Sequence, residues 1–104
     1  MMYKMFALYR NPPDTAAFRH HYETIHAPLV RKLPGLRQLM IGWGVAPPWG
    51  GEPTFHLIAE MDFDDAQAFA AAAASPEMRA VTKNARAFAG DILTVAKVAA
   101  GSKN

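Results

Sequence analysis

Residues 18–30, FRHHYETIHAPLV, hold three of the chain's four histidines within seven positions. A histidine ionises near neutral pH, so each is a candidate to carry a proton. His26 is placed best: beside an apolar wall it can take a proton from the carbon next to a carbonyl and return it elsewhere. A plain structural role competes, in which His26 caps the end of a helix and gains from the helix dipole. Tyr22, four residues earlier, is open in the same way, its ring suited to core packing and its hydroxyl to orienting His26 or a substrate oxygen. His20 and His21 are neighbours, and neighbours on a helix diverge by about 100°, which argues against a joint metal site. A metal would need His26, His56 and a carboxylate such as Glu60 to converge; none is expected.

These residues depend on the elements that carry them. YKMFALY, 3–9, is apolar at nearly every position and ends at RNPP, the pattern of a central strand stopped by turn residues. Asp14 can cap a helix whose apolar face carries Phe18, Tyr22, Ile25 and, if it continues, Leu29. Pro28 is expected to break that helix and leave His26 at the break. LRQLMIGWGV, 36–45, reads as a second strand whose glycines suggest a bulge or a close backbone approach. APPWGGEP, 46–53, reads as a loop, and TFHLIAEMDF, 54–63, as a third strand. In the third strand Phe55, Leu57, Ala59, Met61 and Phe63 share the core face, which puts His56, Ile58, Glu60 and Asp62 on the bare face. There His56 must find a partner or a ligand, by a hydrogen bond across a dimer or by chemistry.

An alanine-rich helix is predicted over 64–74, and Ser75-Pro76 restarts a second helical piece that stops at Gly90. DILTVAKVA, 91–99, is the last strand. The order β-α-β-β-α-β predicts an α+β, ferredoxin-like sandwich, with two helices on one side of a four-stranded antiparallel sheet. All four strands carry apolar residues on both faces, so a second copy of the chain, paired by twofold symmetry, is expected to cover the bare side. Phe6 and Trp43 are candidates to line a cavity from the first and second strands, and Trp49 to stand at its mouth.

At 104 residues the chain is expected to be one domain, 1–104. A net charge of +2, scattered without runs, gives no reason to expect nucleic acid or an anionic membrane as partner. The third strand carries acids where an RNA-recognition domain needs a basic-glycine-aromatic signature. No phosphate-cradling loop and no flavin or nicotinamide fingerprint is present, so cofactor-free chemistry or plain binding is expected. The absence of cysteine rules out thiolate chemistry and disulfides. The opening MMYKMFALYR resembles no signal peptide and no segment is apolar enough to span a bilayer, so a cytoplasmic protein is expected.

Phe18, Tyr22, His26, Pro28 and Leu29, in the order F-x3-Y-x3-H-x-P-L, together with LPGLR at 33–37 and SPE at 75–77, resemble the EthD family of the dimeric α+β barrel proteins. The resemblance implies a homodimer whose two sheets face each other as a barrel, with apolar ligand cavities. Related families include lactone isomerases, cofactor-independent polyketide oxygenases and haem-degrading oxygenases, so the fold is implied more narrowly than the reaction. In the methylmuconolactone isomerase relatives, the histidine matching His26 and another on a strand are proposed proton-handling groups. The resemblance thus implies a site of His26 and His56, which Tyr22 would complete. Trp43 and the PPWGG loop are not fixed features of the family. Three functions follow as expectations: cofactor-free proton transfer on a small apolar or aromatic carbonyl compound, as in isomerisation or dehydration; a non-catalytic ligand-binding or accessory role; or cofactor-independent oxygenation.

Overall fold

The computed structural model describes residues 2–99. Strand β1, Tyr3–Tyr9, is followed by helix α1, Thr15–His21, which Asp14 caps by accepting from Ala17 N–H at 3.0 Å. A π-helical turn, Tyr22–His26, then runs directly into the short helix α2, Ala27–Val30. The chain therefore does not break at Pro28, as the sequence led us to expect. Instead the Ala27 N–H reaches back five residues to the Tyr22 carbonyl, and the Thr24 hydroxyl takes the His20 carbonyl at 2.6 Å. A widened turn is the way this helix accommodates a proline that has no N–H to give and would crowd the carbonyl four residues back.

The widened turn changes which residues face the sheet. In an unbroken α-helix the 3.6-residue spacing would bury Ile25. The π turn adds a residue to the circuit, so the buried row is Phe18, Tyr22, His26 and Val30, and Ile25 is 47% exposed. His26 is carried into the interior by the same local distortion.

Strands β2, Gln38–Val45, and β3, Phe55–Phe63, form a hairpin, and the exposed Arg37–Asp64 ion pair, at 2.7 and 2.9 Å, joins their outer ends. Gly44, with φ +71°, takes a left-handed conformation opposite His56 and interrupts regular pairing there. Helix α3, Ala66–Ala73, is capped by Asp65, and α4, Pro76–Ala89, by Ser75. Strand β4, Leu93–Val98, completes the sheet.

All strand pairs are antiparallel and the spatial order is β2-β3-β1-β4, with the helices packed on one face. This is the ferredoxin-like sandwich expected. The expected barrel is corrected: the sheet is open, with β2 and β4 as unjoined edges. Four strands cannot curl far enough to meet, since a side-chain-filled barrel takes about eight.

Leu57, Ala59, Met61 and Phe63 of β3 are buried beneath the helices, as their alternation required. The opposite face carries Phe6, Ile58, Met40 and Val98 beside an ion cluster in which Lys4 Nζ meets Glu60 at 2.7 Å and Asp62 at 3.3 Å. Nothing among the described residues covers that face. Among them, too, no helix is long and apolar enough to cross a membrane.

Candidate functional site

Between the helix-facing side of the sheet and α4 lies a cavity of about 350 Å³, within the range of small-molecule sites. Its floor is Met5 and Ala7 of β1 with Ala59 and Met61 of β3, and its roof includes Val81 and Ala85 of α4. Into these apolar walls project Tyr9, from the end of β1, and Tyr22 and His26, from the π turn. Thr82 and Arg86 add polar groups on the α4 side.

His26 is only 3% exposed, yet both of its ring nitrogens face polar atoms. Nδ1 lies 2.9 Å from Asn84 Oδ1, an oxygen that also faces His21 Nε2 at 3.2 Å. An amide oxygen can only accept, so His26 Nδ1 carries the proton and Nε2 keeps its lone pair. The nearest donor to that lone pair is the Tyr9 hydroxyl at 3.5 Å, too long for a strong bond. Burial holds the His26 pKa below that of an ordinary histidine; the Asn84 bond opposes this and the neighbouring His21 assists it. The ring is consequently neutral at pH 7.

Burial pushes the Tyr22 hydroxyl up to about 12 and the Tyr9 hydroxyl higher still, so both remain protonated donors. The rings of Tyr22 and His26 lie 5.3 Å apart, and Tyr9 packs edge-on against Tyr22 at 5.8 Å. A neutral imidazole with an available lone pair, beside two phenolic donors in an apolar cavity, can receive a proton and stabilise a developing oxyanion.

Of the residues singled out in the sequence, the structure brings Tyr22 and His26 to this cavity. It places the other four elsewhere. His56 is not on the bare face: opposite Gly44 its ring turns toward the helices and packs edge-on against Phe18 at 5.5 Å and Trp43 at 5.4 Å, with Nε2 buried and unpartnered. Trp43 stands behind Tyr22, at 5.9 Å, with the Arg19 guanidinium 4.6 Å from its ring. Phe6 alternates onto the bare face, paired with Glu60 and Ala96, and Trp49 is 86% exposed in the β2–β3 connection. None of these four lines the cavity.

Two cavity residues, Tyr9 and Arg86, and the His26 partner Asn84 escaped the sequence reading. Tyr9 shares the alternation of Met5 and Ala7, a signal that was available. Asn84 interrupts the apolar face of α4 next to Ala85, a polar group where packing alone asks for none. Arg86 carries no local signal, because an exposed arginine is ordinary on a helix.

Comparison with known proteins agrees with this fold. The EthD domain profile matches residues 10–91. An uncharacterized 11.0 kDa protein of the thcB-thcC intergenic region of Rhodococcus erythropolis is 30% identical over 94 residues, 90% of each chain. The crystal structure of an ethyl tert-butyl ether D (EthD) family protein from Bacillus halodurans superposes with a TM-score of 0.88 at 41% identity, over 100% of both chains. A dimeric ferredoxin-like protein from Thermobifida fusca shares the fold, with a TM-score of 0.69 at 21% identity over 96% of this chain and 92% of that one. The match spans the helix that carries Tyr22 and His26 as well as the helix that carries Asn84, and the chain belongs to the EthD family.

Proposed function

We propose that the chain, acting as one domain, binds a small apolar or aromatic carbonyl compound in the helix-side cavity and that His26 moves a proton on it. The observation that carries this reading is His26 in the wall of an apolar cavity, with Nδ1 bonded to Asn84 and Nε2 facing only the Tyr9 hydroxyl at 3.5 Å. A proton taken from the carbon next to the ligand carbonyl would pass to Nε2, while the Tyr22 or Tyr9 hydroxyl donates to the enolate oxygen. Return of the proton at another carbon is an isomerisation; departure of a hydroxyl from the adjacent carbon as water, with the proton given back by His26 Nε2, is a dehydration. His56, placed in the catalytic set on sequence grounds, has no route to the cavity in this arrangement, and the reading uses His26 with the tyrosines alone.

The test is exchange. A panel of aromatic ketones is incubated in D2O with wild type or His26→Gln, and deuterium at the carbon next to the carbonyl is followed by NMR. The reading expects exchange that His26→Gln abolishes in a folded protein. Ligands that bind to the wild type but exchange no faster than in buffer would make the protein a binding module instead.

We also propose that two copies pair through the bare sheet face. Phe6, Met40, Ile58 and Val98 form an apolar surface there that water would otherwise contact. The dimeric Thermobifida relative supports that expectation only through its fold.

A further inference from the structure

Beside the helix-side cavity lies a second depression, of about 340 Å³, along α4. Ala73, Met78, Thr82 and Arg86 line both, so Arg86 borders the inner cavity as well as the outer depression. The inner part is apolar. The outer part is lined by Arg79, Lys83 and Arg86, which recur at intervals of four and three residues along one face of α4.

No aspartate or glutamate lines either part. Among the described residues none of the three cations forms an ion pair, whereas Arg19 holds Glu23, Arg37 holds Asp64 and Arg10 holds the Asp91 carbonyl. A row of like charges at helical spacing weakens a helix by a few tenths of a kcal/mol per pair. Among the described residues no acid pairs with the row to offset that cost, while a bound anion would do so.

We infer that the ligand is an amphipathic anion: its apolar body fills the inner cavity and an oxyanion group is held at the mouth by Arg86, with Arg79 and Lys83 beside it. The inference rests on the proposed use of the cavity as a ligand site and is independent of whether His26 moves a proton. A planar guanidinium at the rim can pair with a carboxylate through two parallel hydrogen bonds. Such a pairing fixes the orientation of the ligand, with its charged end outward and its apolar end beneath the tyrosines and His26.

The experiment titrates the full chain with three probes that share one apolar body, 2-naphthoate, 2-naphthyl phosphate and neutral 2-naphthamide, followed by isothermal titration calorimetry at low salt and in 1 M NaCl. The inference expects at least one anion to bind about tenfold or more tightly than the amide at low salt, with the gap closing at high salt. Whichever anion binds better identifies the oxyanion as carboxylate or phosphate. Arg86→Gln should remove most of the preference, and Arg86→Lys should keep part of it. Circular dichroism checks that these exposed-site variants are folded. Equal affinity for anions and amide, or a preference that survives the combined Arg79→Gln, Lys83→Gln and Arg86→Gln variant, overturns the inference while leaving the cavity reading intact. Absence of binding by all three probes overturns both.

Discussion

His26 Nδ1 donates to Asn84 Oδ1 at 2.9 Å, across 58 positions of sequence, and so the rim of one helix sets the proton position of a residue on another. The same oxygen faces His21 Nε2 at 3.2 Å. Asn84 therefore orders two imidazoles at once, and Nε2 of the buried one faces the Tyr9 hydroxyl at 3.5 Å.

The two partners of His26 should move its pKa in opposite directions. The Asn84 oxygen favours the charged ring, so Asn84→Ala should lower the His26 pKa further. The Tyr9 hydroxyl, when it donates to Nε2, favours the neutral ring, so Tyr9→Phe should raise it. Titration of the ring carbons by NMR in wild type and both variants gives the two signs, and shifts in the same direction would refute this arrangement.

Stability should fall on mild acidification because of His26. Its folded pKa lies below the ordinary value of 6.5, so between that value and the folded pKa the unfolded chain binds more protons. The stabilisation is complete above pH 6.5 and is lost as pH falls toward the folded pKa, by about 1.4 kcal/mol for each tenfold by which folding weakens proton binding. Urea unfolding from pH 8 to pH 5 should show this slope in wild type and a flatter one in His26→Gln.

The π turn predicts a contrast between two apolar residues of the same helix. Ile25→Lys should change stability by no more than about 0.5 kcal/mol, because the side chain already faces water. Tyr22→Ala, at a residue 1% exposed, should cost roughly 3–5 kcal/mol. A large penalty for Ile25→Lys in chemical denaturation would mean that the turn is an ordinary α-helix with Ile25 inward.

Pairing through the bare sheet face can be weighed directly. Sedimentation at micromolar concentration should give a particle near twice the 11.4 kDa chain mass, and Phe6→Glu should return it to the single-chain mass. A wild-type particle of single-chain mass would remove the dimer.

Much of the frame was legible from local rules. Alternation in FHLIAEMDF identified the buried side of β3 at Leu57, Ala59, Met61 and Phe63, because the pleat of a regularly paired strand sends successive side chains to opposite faces. Asp14 and Ser75 were readable as helix starts, because a short oxygen-bearing side chain satisfies amide groups within its own turn. Phe18, Tyr22, His26, Pro28 and Leu29, with LPGLR at 33–37 and SPE at 75–77, were sufficient to suggest the family.

What lay beyond the sequence depends on how elements meet. A 3.6-residue pattern put Ile25 inward, and only the response of a packed helix to Pro28, a widened turn instead of a break, exchanged it for His26. His56 was assigned to the bare face by alternation, which holds only while pairing is regular, and Gly44 opposite it interrupts that pairing. Tyr9 and Asn84 became partners of His26 because the sheet order brings the end of β1 and the middle of α4 to the same cavity, a proximity with no trace in residue spacing. Arg86 joins the cavity lining only because α4 packs over the sheet. Local propensity and periodicity are properties of neighbouring residues and so can be read along the chain; the cavity and the charge at its rim arise from contacts between distant segments, which exist only once the sheet and helices have packed.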